Sequence, residues 1–326
     1  MRIGDLQVVN GCQTTRSLWK AASRDAASLL GSYVNLRLIA IREVDRARSG
    51  GGLRGRISAS TNLQTALIRT DDLWTRPEQE RLRLAFAALR PHWFYETKRG
   101  AWNLLSAQER ARFERSEVGG RSRRIRPLRL TQAAWAAAGA PGEARDRTGS
   151  FLAGASAAAR SADLVYGEIF SKQAQQLLLP MRLHEQASVW AIESAQSTVA
   201  AQEPWRGWVK FGLVFAVYGY LAERAAAEDE LPNPFLSAAR SARLLESFEL
   251  WAPELMAACA DGFDALIAGM RREPAACRRF FRQDGHLDEI RSAVRAAIRR
   301  EDRLRSMHGL PPLGSLVTIG MAAEAA

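Results

Sequence analysis

Apolar and polar positions follow two different rhythms along this chain, and the change between them falls near residue 130. Before it, strand-like and helix-like stretches alternate. The apolar run "LQVVN" (6–10) predicts a short buried strand, and "YVNLRLIAIRE" (33–43) sets Val34, Leu36 and Leu38 against Asn35 and Arg37. That two-residue period is the mark of a strand with one buried face. Between the two, Thr14 to Leu30 places Leu18, Ala22 and Leu29 along one side of a predicted helix. The glycine- and arginine-rich "RSGGGLRGR" (48–56) predicts a loop, and "STNLQTALIR" (60–69) a helix start capped by Ser60, Thr61 or Asn62. "RPEQERLRLAFAAL" (76–89) predicts an amphipathic helix with Pro77 in its first turn, and the aromatic "HWFYETK" (92–98) a strand.

Beyond residue 130 strand signals nearly vanish. Helical periodicity runs through 173–198, 206–227, 237–248, 252–272 and 286–305. Trp205, Trp208, Phe211, Phe215 and Tyr218 recur at three- to four-residue spacing, which predicts a core stripe rather than a platform for stacking bases. "GAPGEARDRTGS" (139–150) reads as a loop and a boundary, and "PPLGSLVTIGMAAEAA" (311–326) as a frayed tail. The expected fold is therefore an α+β (or α/β) N-terminal part over 1–138 with a small mixed sheet, a linker over 139–150, an all-α helical part over 151–310, and a tail over 311–326.

Composition narrows the class. Of 326 residues, 47% are hydrophobic and 25% charged, a globular balance with enough apolar material for a core. No apolar run approaches the roughly 18 residues a membrane span needs, and the start "MRIGDLQVV" lacks the layout of a signal peptide. Cys12, Cys259 and Cys277 are odd in number and scattered, as are His92, His184, His286 and His308. Neither set has disulfide-framework or metal-ligand spacing, and the expected location is the cytoplasm, with no membrane partner.

The net charge of +11 is unevenly spread: residues 1–130 hold 25 Lys and Arg against 12 Asp and Glu, whereas the remainder holds 21 against 23. A one-sided positive surface suits a polyanion, because neutralising phosphates releases counterions. Arginine outnumbers lysine 42 to 4, a bias that a GC-rich genome also produces.

Four stretches carry candidate chemistry. In "VVNGCQTTRSLW" (8–19), Asn10 and Gly11 precede Gln13 and Thr14 at the start of a predicted helix, where unpartnered N–H groups and the helix dipole favour an anion. A plain strand-to-helix turn with a threonine cap fits the same spacing. In "STNLQT", Asn62 and Gln64 are residue types that read adenine edges, although asparagine at a helix start is also a cap. Asp72 (or Asp71), with Glu96 and Lys98 two apart on the predicted strand, forms the acidic-x-lysine pattern of magnesium-dependent nucleases. There two carboxylates hold Mg2+ and the lysine activates its water; Glu-x-Lys also arises by chance, and a solvated ion pair on an edge strand is the commoner origin of the pattern. Last, the arginine-rich "RSRRIRPLRL" (121–130), with Arg123, Arg124 and Arg126, is either a basic arm on phosphates or a solvated loop.

Taken in order, "LQVVNGCQTTRSLW", "ISASTNLQTALIRTDDLW", "PEQERLRLAF", "WFYETKRG" and "YGEIF" (166–170) resemble the AIPR family, the abortive phage infection proteins of bacteria. The resemblance covers roughly residues 5–170 well and the helical remainder loosely. Position by position, Asn10, Gly11, Gln13 and Thr14 match its first motif, Asn62 and Gln64 its second, and Tyr95, Glu96, Lys98, Arg99 and Gly100 its third. It implies anti-phage defence in the company of helicase-like ATPases, endonucleases or methyltransferases of restriction-modification-like systems, and it names no reaction. In the family the Asn-Gly-x-Gln turn normally lies well inside a longer chain, so an N-terminally truncated member is expected here, with a sheet edge left unpaired.

Three readings follow. The leading one is a defence protein that binds DNA or RNA through its basic first 130 residues, with Arg99, Arg123, Arg124 and Arg126 among the phosphate contacts. The second is a Mg2+-dependent nuclease using Asp72, Glu96 and Lys98. The third is a non-catalytic assembly subunit whose helical part docks onto partner proteins.

Overall fold

A helix opens where "NGCQTT" turns from apolar run to hydroxyl residues. In the computed structural model α1 spans Cys12–Arg24, so it starts ahead of Thr14 and takes Gln13 into its first turn. The structure describes residues 12–29, 76–98, 100–114, 122–146, 165–196, 209–226, 235–270, 273–281 and 283–321. The chain divides into two compact units, Met1–Thr75 and Arg76–Ala326. In the first, α1 gives way to a 3-10 turn over Ala26–Leu29, fixed by the Ala27 N–H donating to the Asp25 carboxylate at 3.0 Å. Trp19 on α1 is 67% exposed. The strands expected at 6–10 and 33–43, the loop at 48–56 and the helix at 60–69 lie outside the described residues.

The second unit begins with α2 (Pro77–Ala88), where Pro77 occupies the first turn and Glu78 and Glu80 complement the positive helix end. Leu82 and Phe86 are its buried side. There follow β1 (Phe94–Tyr95), α3 (Ala101–Leu104), α4 (Ala107–Ala111) and β2 (Arg124–Ile125). Ser106 and Glu109 form a reciprocal capping box at α4: the Glu109 N–H donates to Ser106 Oγ at 3.2 Å and the Ser106 N–H to Glu109 Oε2 at 2.7 Å. The small sheet is a parallel pair with Phe94 opposite Arg124 and Tyr95 opposite Ile125. The strand expected over 92–98 is thus paired over two residues only.

Helices make up the rest: α5 (Pro127–Ala137), α6 (Pro141–Asp146), a π turn over Val165–Ile169, α7 (Ala174–Gln196), α8 (Lys210–Ala226), α9 (Ala238–Glu246), α10 (Phe248–Gly269), α11 (Pro274–Phe280), α12 (Leu287–Met307) and α13 (Leu313–Met321). The periodic segments read from sequence recur within a few residues of their expected bounds. Phe211, Phe215 and Tyr218 are buried, as the core stripe requires; Trp205 and Trp208 lie outside the described residues. Among the described residues no helix is long and apolar enough to cross a membrane.

Two stretches differ from expectation. Residues 141–146, inside the expected loop, are helical because Pro141 suits a first turn and Ala144 is buried where α6 packs on α5 and α8. The expected frayed tail holds α13, whose Leu313, Leu316 and Val317 are buried against α9 and α10. Its start is tied down from α12: the Leu313 N–H donates to the Asp302 carboxylate at 2.7 Å, and Arg305 Nε donates to the Pro311 carbonyl at 2.7 Å. Gly309, at φ +68°, supplies the left-handed turn that ends α12.

Helices α10 and α12 run antiparallel, with Arg305 on Glu254 (3.2 Å) and Arg300 on Asp261 (3.3 Å). They approach closely at Gly262, where an added Cβ would stand 3.0 Å from the Ala293 carbonyl oxygen and from Val294 Cα. Those are backbone atoms, so a side chain there has to push the helices apart. Gly262→Val is expected to cost about 2–3 kcal/mol, read as a lower thermal midpoint by circular dichroism. An unchanged midpoint would mean that the helices do not meet there.

Candidate nucleic-acid interface

Side chains on a strand alternate between faces, and in a parallel pair two residues long this gives each face one residue per strand. The inner face is Tyr95 and Ile125. The Tyr95 ring lies 5.3 Å from that of Phe86, and its hydroxyl donates to Gln79 Oε1 at 2.6 Å, so the strand is locked to α2. The outer face carries Phe94 and Arg124, and Glu96 follows in the same alternation.

Glu96 is 5% exposed, and a buried carboxylate persists as an anion only when donors surround it. Its Oε1 accepts the backbone N–H groups of Gly100 (3.1 Å) and Trp102 (3.4 Å). Its Oε2 accepts from Arg124 Nε (3.0 Å) and Nη2 (2.7 Å), with Arg126 Nε a further 3.7 Å away. The turn that brings those amides round needs Gly100 at φ +78°, a region that favours glycine. One carboxylate therefore closes the turn after β1 and clamps it to β2.

Three rings sit on this face. Phe94 lies 5.4 Å from Trp102 and 5.5 Å from Phe113, and Trp102 lies 6.1 Å from Phe113. All three remain partly exposed, and the Arg124 guanidinium stands 5.4 Å from the Trp102 ring. Arg123 ties the loops beneath: its Nε donates to the His92 carbonyl (3.0 Å) and its Nη2 to that of Arg112 (2.9 Å). Arg126 is different, because its side chain is 63% exposed. It is also the N-cap residue of α5, an eleven-residue helix whose start has no side-chain cap. Lys98 is exposed on the same turn. In sequence, residues 76–130 hold 14 Lys and Arg against 6 Glu.

The structure brings Glu96, Arg124 and Arg126 together, whereas Arg123 precedes β2 and bonds to the His92 and Arg112 carbonyls, and Lys98 follows Glu96 by two residues on the turn. Gln13 and Thr14 open α1 in the other unit, whereas Asn10, Gly11, Asn62, Gln64, Asp72 and Arg99 lie outside the described residues. Because β1 ends at Tyr95, the strand alternation does not extend to Lys98. Both Glu96 oxygens are engaged by donors, so a Mg2+ ion there would compete with Arg124. Among the described residues no group of three or more His, Cys, Asp or Glu is placed to hold a metal. Phe94 enters the sequence reading only as part of an aromatic strand, and Trp102 and Phe113 not at all; the aromatic density of "WFYETKRGAW" is a signal for Phe94 and Trp102, and Phe113 has none nearby.

Removing one partner of a largely buried pair strands the other charge. Glu96→Ala is therefore expected to cost about 2–3 kcal/mol in urea unfolding, and Arg126→Ala, at an exposed pair, less than about 0.5 kcal/mol. Equal effects would contradict the clamp.

A family model described as AIPR protein matches residues 1–198 of the chain. No curated protein and no solved structure matches it.

Proposed function

Because the chain belongs to the AIPR family, and so to abortive-infection, anti-phage defence, we propose that it works there by binding nucleic acid through its basic N-terminal surface. The observation that carries this reading is the cationic outer face of the β1–β2 pair, where Glu96 is the one carboxylate in contact with Arg124 and Arg126 among the described residues. The arginines there divide the labour. Arg123 and Arg124 spend their donors on backbone carbonyls and on Glu96, and so hold the surface together. Arg126, exposed at the uncapped start of α5, is the candidate phosphate contact, since both a guanidinium and a helix N-terminus favour an anion.

Binding of this kind is dominated by counterion release and carries little sequence preference. The purified chain is expected to retard DNA or RNA in a gel at roughly 50 mM salt and to lose most of that affinity by roughly 200 mM. Arg126→Ala should weaken binding several-fold on every sequence and reduce the salt slope by about one ion. Binding that is flat with salt, or a sharp preference for one sequence, would count against the reading.

A further inference from the structure

The outer face holds more apolar ring than a phosphate contact requires. Trp93, Tyr95 and Ile125, adjacent in sequence or in the sheet, are buried at 3%, 2% and 0% exposure, whereas Phe94, Trp102 and Phe113 stay partly open, with Arg124 over Trp102. The Arg124 guanidinium gains from the Trp102 ring with or without a ligand; what points to a ligand is that all three rings stay partly exposed. We propose that this face takes an unpaired base: a single-stranded nucleic acid stacks a base on the Trp102–Phe94–Phe113 cluster while Arg126 and the start of α5 hold its phosphate. The inference rests on the nucleic-acid reading above and adds the class of strand.

The chemistry separates single strands from duplexes. Inside a duplex each base is stacked on its neighbours and offers no face to a protein ring; an unpaired base offers one whatever its identity. Aromatic side chains joined to a cationic groove are how strands are held without sequence preference. Arg124 has a separate part. Its charge is met by Glu96, so it stays over Trp102 at 5.4 Å, extending the stacking surface with a flat guanidinium while Arg126 supplies the net positive charge. Glu96 is then a positioning residue for the ring cluster, since its Oε1 accepts the Trp102 N–H.

The test uses the full chain and fluorescence anisotropy with labelled strands of about 16 nucleotides: DNA, RNA of the same sequence, and the blunt DNA duplex, all at one salt concentration. The single strands are expected to bind about tenfold or more tighter than the duplex, RNA or DNA alike in kind. Trp102→Ala should lose about tenfold or more on single strands and so narrow the strand-to-duplex ratio towards one, and Trp102→Phe should keep most of the affinity. Equal affinity for strand and duplex, with Trp102→Ala changing neither, would overturn this inference and leave the nucleic-acid reading standing. Failure to bind all three would sink both. Should Trp102→Ala not fold, as its circular dichroism would show, the strand-to-duplex ratio of the unaltered chain decides the matter.

Discussion

The carboxylate of Glu96 has to be satisfied inside the protein, and its donors come from two places in the chain. The amides of Gly100 and Trp102 lie within six residues of it, and Arg124 is 28 residues further on. Joining the two fixes the turn after β1, the pairing of β1 with β2, and the position of Trp102 under the Arg124 guanidinium. A two-stranded sheet of two residues each gives little stability from its ladder alone. Here a charged clamp on one face and the Tyr95–Gln79 hydrogen bond on the other hold it in register.

The helices supply the mass against which this small sheet is fixed. Arg81 on α2 donates to the carbonyls of Phe170 and, at 3.2 Å, Lys172, which ties α2 to the segment leading into α7. Arg182 on α7 stands 5.8 Å from the Trp93 ring and 4.6 Å from that of Phe248, bridging the edge of the sheet region and the start of α10. Helices α7 and α8 form the centre, with α5 and α6 packed on one part and α10 with α12 on another. Large rings, Trp251, Tyr218, Phe215 and Phe263, are wholly buried there, and Trp251 and Tyr218 each keep a partner for their polar atom. Burial of Tyr218 and Cys259 raises both of their pKa values, so neither group ionises near neutral pH.

The stretch "YETKRG", which carries much of the family resemblance, is in this structure a device for building a surface. Tyr95 locks the strand inward, Glu96 gathers amides and guanidinium, and Gly100 permits the turn. The acid and the lysine two positions apart differ in burial: Glu96 is covered by its donors and Lys98 is exposed. That difference is a matter of which groups the chain brings near, and spacing alone does not carry it.

What the sequence by itself determined is the run of helices. The 3.6-residue period and a proline in the first turn marked α2, and periodicity alone marked α7, α8, α9, α10 and α12, because an amphipathic helix writes its burial into neighbouring positions. The same holds for the buried stripe of Phe211, Phe215 and Tyr218. Tertiary structure alone decided the rest. It made helices of 141–146 and 313–321, whose few apolar residues become worth burying only when α5 and α8, or α9 and α10, are already there. It cut the strand at 92–98 to two residues, since a ladder extends only as far as its partner does. And it set Arg124 on Glu96 and Trp102 while leaving Arg126 in solvent, a difference between arginines two apart that depends on contacts made across 28 residues of chain.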